Sequence, residues 1–193
     1  MIRYAISNDL SPETMKHQAR RWAAASIDYV QLREKRLPAG ELQDLAATIL
    51  AVFHETGART KLLINTHADV ALAAGAHGVH LTSQPGELTP AQIHELFTTR
   101  GAAKPVVSVS CHTLDEVKQA HANNADLVLF GPVFEKRVAK QLITDGSGLE
   151  MLHRACVAAK TTPVLALGGI TEENTIACIQ EGAAGIAAIR LFS

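Results

Sequence analysis

Short β-branched and aliphatic runs alternate along the chain with longer segments whose apolar positions recur at helical spacing. Eight runs carry the strand signature: Tyr4–Ser7, Tyr29–Arg33, Leu62–Asn65, Gly78–Leu81, Val106–Ser110, Leu127–Phe130, Val164–Leu167 and Gly185–Ile189. Between them, apolar side chains fall on one helical face, as with Leu42, Leu45, Ala46, Ile49 and Leu50, and the same spacing returns over 91–96 and 114–122. Continuously apolar strands separated by helices predict a parallel sheet covered by helices. Three helix-to-strand junctions repeat one solution: Gly75-Ala76-His77-Gly78, Asn124-Ala125-Asp126-Leu127 and Gly182-Ala183-Ala184-Gly185. Gly or Asn just past a helix can take φ > 0, and a small residue lets the next strand start close by. Helix starts are marked by Ser11-Pro12, Thr89-Pro90, Thr113 before Leu114 and Thr171-Glu172.

Eight strand–helix alternations point to an α/β fold of the (β/α)8 TIM-barrel type, although an open sheet fits the alternation too. The barrel is short. The last strand ends near Ile189, which leaves Arg190–Ser193 and predicts that the eighth helix is missing, by nature or by truncation. No linker or low-complexity stretch divides residues 1–193, so one domain is expected.

The composition is 47% hydrophobic and 19% charged, and 18 basic against 19 acidic residues leave a formal charge of −1. That balance supplies no global field for a nucleic-acid backbone or an anionic membrane. Neither a signal segment nor a run of about 20 apolar residues is present, so a cytoplasmic location is expected. Cys111, Cys156 and Cys178 lie far apart with no metal-finger spacing and read as reduced thiols. Zincin, EF-hand, Walker, GxGxxG and nucleophile-elbow patterns are absent, and His17, His54, His94, His121 and His153 sit in helical stretches as packing or surface residues.

Polar residues gather where the predicted strands end, which in a barrel is the catalytic face. Gln31, Arg33 and Lys35 close the second strand. A forked guanidinium and a compact ammonium suit a diphosphate, the alternative being a surface ion-pair cluster with Glu34. Gln31 brings an amide to an apolar strand, where it needs partners from a ligand or a neighbour. Asn65 either reads a heterocycle or caps the next helix. Ser110 ends the fifth strand as a ligand donor, while Cys111 and His112 point to opposite faces and form no nucleophile pair. The stretch from Gly131 to Gly148, carrying Lys136, Arg137 and Lys140, reads as a mobile lid or a plain solvated loop. Gly168-Gly169 before Thr171 permits close backbone approach to an oxygen-rich group at a helix start, where barrels bind phosphate.

These residues carry a family resemblance over nearly the entire chain. The segments Val30-Gln31-Leu32-Arg33-Glu34-Lys35, 68–81 (Ala68 to Leu81), Val109-Ser110-Cys111-His112-Thr113, Phe130-Gly131-Pro132-Val133-Phe134, Gly168-Gly169-Ile170-Thr171 and 182–187 resemble the thiamine phosphate synthases and the related thiazole tautomerases. The resemblance implies a transferase of thiamine biosynthesis that joins an aminopyrimidine diphosphate to a thiazole phosphate. It implies Gln31, Arg33, Lys35, Asn65 and Ser110 around the pyrimidine diphosphate, with Arg33, Lys35 and Ser110 catalytic. Gly169 and the backbone near Ala188 and Ile189 would hold the thiazole phosphate, and magnesium (Mg2+) would be the cofactor. Small phosphorylated heterocycles are the implied ligands, and a homodimer is a reasonable expectation for such an oligomer-prone class.

Four positions depart from the family pattern. Thr66 stands where synthases carry a metal-binding Asp, and the stretch from Thr82 to Glu87 keeps only Glu87 as a weak candidate for the second carboxylate. The lid reads Glu135-Lys136-Arg137-Val138-Ala139-Lys140 in place of a Thr-x-Thr-Lys pattern, with Lys136 or Lys140 as compensating cations. Tautomerases place a catalytic His where this chain has Pro132. The sequence therefore leaves a synthase, a tautomerase-like enzyme on a thiazole phosphate, and a non-catalytic binder or regulator as alternatives.

Overall fold

The computed structural model describes every residue except 9, 10, 85, 139 and 140, and of 136–138 and 141–144 the backbone only. Eight parallel strands close into a barrel. They are β1 (Ile2–Ile6), β2 (Tyr29–Leu32), β3 (Lys61–Asn65), β4 (Gly78–Leu81), β5 (Val106–Cys111), β6 (Leu127–Phe130), β9 (Val164–Leu167) and β10 (Gly185–Ala188). The seam between the first and last strands is parallel, with Ile2 opposite Gly185 and Ala5 opposite Ala188. Seven helices surround the sheet: α1 (Pro12–Ala24), α2 (Ala39–Glu55), α3 (Ala68–Ala74), α4 (Pro90–Thr99), α5 (Leu114–Ala122), α6 (Gly148–Ala158) and α7 (Glu172–Gln180). The open-sheet alternative is thereby removed.

Local chemistry explains the element boundaries. Thr89, Thr113 and Thr171 each accept the N–H three residues on, and Gln92, Glu116 and Asn174 reach back to complete capping boxes. Ser11 caps α1 in the same way, followed by Pro12. Gly75 ends α3 at φ +65°, and Asn124 and Gly182 take φ of +61° and +99° at the equivalent junctions. The first strand begins two residues earlier than its pattern suggests, because Ile2 N–H pairs with the Ala184 carbonyl across the seam.

Alternation along the strands splits the core into two layers. Outward side chains such as Val30, Leu62, Val79, Val107, Val128 and Ile186 pack under the helices. The α2 helix adds Leu42, Leu45, Ile49, Val52 and Phe53 to that layer, each worth about 1.5–3 kcal/mol of burial. Inward side chains make a smaller cluster of Tyr4, Ile6, Leu63, Leu127, Leu129 and Leu165. After β10 the chain makes a short 3-10 turn over Arg190–Phe192 instead of an eighth helix. The Phe192 carbonyl accepts from Gln18 Nε2 at 2.7 Å and Trp22 Nε1 at 2.8 Å, which ties that turn to α1.

The segment expected as a loop between β6 and α6 contains an antiparallel pair, β7 (Lys136–Val138) and β8 (Gln141–Thr144). Its foot is stitched to the barrel end. Val133 and Phe134 N–H groups donate to the Leu167 and Gly168 carbonyls, and Ser147 and Gly148 N–H groups donate to the Pro132 and Val133 carbonyls.

Candidate active site

The inward face of the barrel is not uniform. On β6, β9, β10 and β1 it is apolar, whereas β2 to β5 contribute Gln31, Asn65, His80, Ser108 and Ser110. Register brings them side by side: Asn65 lies opposite His80, and His80 opposite Ser108. This polar sector opens toward the carboxyl ends of the strands.

Gln31 is buried, and its Nε2 donates to Asn65 Oδ1 at 2.7 Å. Its Oε1 is buried with no partner among the described residues. An unpaired buried carbonyl oxygen is costly, and a ligand N–H would relieve it. Asn65 is thus engaged with Gln31, and the N-cap of α3 is His67, so the capping alternative for Asn65 is not realised.

Beyond Gln31 the backbone lifts Arg33 and Lys35 to the rim. Ser7 Oγ accepts the Arg33 N–H at 2.8 Å and donates to Glu34 Oε1 at 2.5 Å. Glu34 is consequently buried against β1 and not displayed on the surface between the two cations. Lys35 is exposed and borders a cavity of about 340 Å³ together with Glu34, Asn65, Thr66, Thr82 and Glu87. A larger cleft of about 560 Å³ opens at the opposite end, beside Lys104, Asp126 and Thr162. Those residues precede their strands, so that cleft lies on the face barrels use for stability, and the smaller cavity is the candidate site.

Of the group around His80, the sequence patterns singled out Ser110 but not His80, Ser108 or Tyr4. His80 is buried, with Nδ1 2.8 Å from Ser108 Oγ and Nε2 2.9 Å from Ser110 Oγ. Tyr4 Oη lies 3.0 Å from Ser108 Oγ. Burial, and secondarily the Arg33 charge, push the His80 pKa down to about 3. Burial raises the Tyr4 hydroxyl well above its usual range. A polar residue in the middle of the short strand Gly78-Val79-His80-Leu81, on the face shared with Gly78, was the available signal.

Cys111 points into the helix layer, where burial first and Glu116 second raise its pKa to about 12. The backbone N–H of His112 donates to Glu116 in the cap of α5, and its imidazole Nδ1 pairs with the Gly131 carbonyl. The two form no nucleophile pair.

Opposite the polar sector lies the Gly168-Gly169 turn. Gly168 and Gly169 have φ of +94° and +65°. A Cβ on Gly168 would meet Pro132 Cα at 2.6 Å, and one on Gly169 would meet Phe134 Cβ at 2.7 Å. The turn is therefore pressed against the foot of the β7–β8 hairpin, leaving its backbone and the start of α7 facing the mouth. Asn174 Nδ2 donates to the Gly169 carbonyl at 2.9 Å, turning that oxygen away from a bound anion. Ala188 ends β10 beside this turn and Ile189 follows it. Lys136 lies in β7 with its side chain outside the described residues, as Lys140 is altogether.

The chain matches the family model described as thiamine monophosphate synthase over residues 3–192. It belongs to that family. A putative thiamine-phosphate synthase of Geobacter sulfurreducens is 40% identical over 166 residues, covering 86% of this chain and 73% of that protein. The thiamine-phosphate synthase of Chlorobium luteolum is 36% identical, with 94% and 79% covered. Among solved structures, the thiamine phosphate pyrophosphorylase of Pyrococcus furiosus superposes with a TM-score of 0.75 at 26% identity, covering 97% of this chain and 85% of that one.

Thiamine monophosphate synthase membership raises the question of magnesium. Thr66, at the family's first carboxylate position, sits at φ +60° with its hydroxyl donating to the Asn65 carbonyl. Glu87 borders the cavity, but its Oε2 accepts the Thr82 N–H at 2.8 Å. No cluster of three metal-binding side chains occurs among the described residues. A hard divalent cation needs several oxygens, and even diphosphate enzymes supply one or two free carboxylates. One partly occupied Glu87 carboxylate falls short of that, so the described residues do not form a resident magnesium site. Among the described residues, no helix is long and apolar enough to cross a membrane.

Proposed function

We propose that this chain couples an aminopyrimidine diphosphate to a thiazole phosphate, releasing diphosphate and thiamine phosphate. The observation that carries this reading is the buried Oε1 of Gln31, without a partner among the described residues, beside Asn65 on the strand whose end leads to Arg33 and Lys35. An amide pair in the barrel floor reads the edge of an aminopyrimidine, the free oxygen accepting its amino N–H. Two cations at the rim then meet the diphosphate attached to the same ring.

In the reaction the bond between the pyrimidine methylene carbon and its diphosphate oxygen breaks, and the electron pair leaves with the diphosphate. The thiazole nitrogen lone pair forms the new C–N bond. No strong base is required; the barrier lies in separating charge. Arg33 offers a fork to two diphosphate oxygens and Lys35 a mobile point charge. Ser110 adds a hydroxyl at the lip of the polar sector. Across the mouth, the Gly169 backbone, the start of α7 and the backbone at Ala188 and Ile189 hold the thiazole phosphate.

The test is thiamine phosphate formation by the purified protein from both substrates, with Mg2+ and with chelator. Product supports the synthase reading, and retention of rate under chelation would match the depleted carboxylates. A folded sample that binds the thiazole phosphate yet makes no product would sink it. The missing Thr66 carboxylate favours one alternative, action on or binding of the thiazole phosphate alone, which isomerisation or binding without the pyrimidine partner would reveal.

A further inference from the structure

Within the barrel interior, Tyr4, Ser108, His80 and Ser110 form a continuous polar chain running from β1 to the mouth. All but Ser110 are buried, and Ser110 is half-buried at the open end. Each proton in such a chain needs an acceptor, and counting them fixes the direction of every bond. Among the described residues, Tyr4 Oη meets only Ser108 Oγ at 3.0 Å and His80 Nδ1 at 3.4 Å, and Ser108 Oγ meets only Tyr4 Oη and His80 Nδ1.

If Nδ1 carries a proton, the inner three groups hold one proton each and offer only two acceptor atoms between them. Tyr4 and Ser108 cannot donate to each other along the same line, so one buried hydroxyl or imidazole proton is orphaned. The imidazolium form suffers the same surplus. With Nδ1 bare the count closes: Tyr4 O–H donates to Ser108, Ser108 O–H donates to His80 Nδ1, and Nε2–H donates to Ser110 Oγ. The Ser110 proton is then the one left over, and it sits at the mouth.

We propose that His80 is a positioning residue, locked as the neutral Nε2–H tautomer by Tyr4 and Ser108, and that it compels Ser110 to act as a hydrogen-bond donor to the ligand. The group Ser110 meets is therefore an acceptor, and in the site described above it is an oxygen of the departing diphosphate. The tautomer assignment stands on the structure alone; the identity of the acceptor rests on the synthase reading. The depressed pKa of His80 agrees with a neutral ring. A chain of donors all aligned toward one oxyanion also strengthens as charge develops there.

The experiment is long-range 15N–1H NMR on full-length protein labelled at histidine, with His80 identified by the signal lost in His80→Gln. The Nε2–H pattern should hold at a ratio of at least roughly ten to one, since an orphaned buried donor opposes the alternative. In Tyr4→Phe a protonated Nδ1 would still orphan the Ser108 proton, so the Nε2–H pattern should persist, whereas Tyr4→Phe/Ser108→Ala removes both hydroxyls that face Nδ1 and should make the two tautomers comparable. A predominantly Nδ1–H or cationic His80 in the unmodified protein, or an unchanged pattern in the folded Tyr4→Phe/Ser108→Ala variant, overturns the locking. The consequence is read separately through titration of inorganic diphosphate. His80→Gln keeps an N–H near the Nε2 position and should bind within about threefold of the unmodified protein, while His80→Leu should bind roughly tenfold more weakly. Equal diphosphate affinity in the two folded variants overturns the Ser110 role; if His80→Leu does not fold, equal affinity of Ser110→Ala and unmodified protein does so. A protein that shows the tautomer and binds diphosphate but forms no product would refute the synthase reading and leave the relay standing.

Discussion

Two glycines with the same backbone angle offer a controlled test of how the phosphate turn is built. Gly75 and Gly169 both have φ +65°. A Cβ on Gly75 would meet nothing within 4 Å, whereas on Gly169 it would lie 2.7 Å from Phe134 Cβ, 3.0 Å from Phe134 O and 3.1 Å from Glu135 O. Gly75→Ala therefore pays only the left-handed conformational penalty, about 1–2 kcal/mol. Gly169→Ala carries that penalty plus the overlap. An ordinary carbon contact is about 3.5–4.0 Å, so roughly 1 Å of displacement is required. Phe134 cannot rotate away, because the clashing atoms are its own Cβ and carbonyl, and its N–H is tied to the Gly168 carbonyl at 3.1 Å. Overpacking of this kind adds about 1–3 kcal/mol. For a chain of this length each kcal/mol lowers Tm by about 2–4 °C, so Gly75→Ala should lose about 2–8 °C and Gly169→Ala about 4–20 °C, with a gap of several degrees between them. Thermal unfolding followed by circular dichroism gives both numbers, and titration with the thiazole phosphate should show weakened binding in Gly169→Ala alone. Indistinguishable Tm values would refute the claim that the turn is clamped by the hairpin foot.

Further outcomes follow from the same coordinates. His80 has a folded pKa of about 3 against an ordinary value of 6.5, so the unfolded chain binds its proton first as pH falls. Its contribution to stability is complete above pH 6.5 and is lost progressively as pH falls from there toward 3, by about 1.4 kcal/mol per pH unit. Urea titrations at pH 7 and pH 5 should show this loss, and His80→Gln should flatten it; an equally steep dependence in the variant would assign the acid sensitivity elsewhere. Thr66 is a β-branched residue at φ +60°, a conformation Asp tolerates better. Thr66→Asp should raise stability in chelator by about 0.5–1 kcal/mol and make Tm respond to Mg2+. A loss of stability, or no response to the metal, would mean that more than this one carboxylate separates the site from a metal-binding one. Arg33→Lys keeps the charge but loses the fork, and should cut kcat/KM by roughly tenfold to a hundredfold in the transfer assay. Unchanged kinetics would remove Arg33 from the diphosphate site.

What the sequence disclosed and what it hid divide along a physical line. Strand and helix positions were legible because they depend on local periodicity and on caps such as Thr89, Thr113 and Thr171, whose partners lie three residues away. That Gln31, Arg33 and Lys35 gather at one strand end was legible too, because β2 delivers all of them in sequence. The hairpin at Lys136–Thr144 was read as a loop, since a short polar pair has little apolar pattern of its own to announce it. The relay through His80 was harder still. Its four members come from β1, β4 and β5, and Tyr4 is 104 residues from Ser108. Each alone looks like an ordinary interior residue of an apolar strand. Only closure of the barrel brings them onto one inward face, where the apolar walls forbid an unpaired proton and so give the chain a direction. The same walls explain why Gln31 Oε1 matters: an unpaired carbonyl in water is unremarkable, but in this barrel floor it is a standing demand for a ligand donor. Departures such as Thr66 acquire meaning in the same way. On the sequence it is a missing carboxylate; in the fold it is a hydroxyl turned to its own backbone, so under the proposed function the charge facing a diphosphate falls to Arg33 and Lys35.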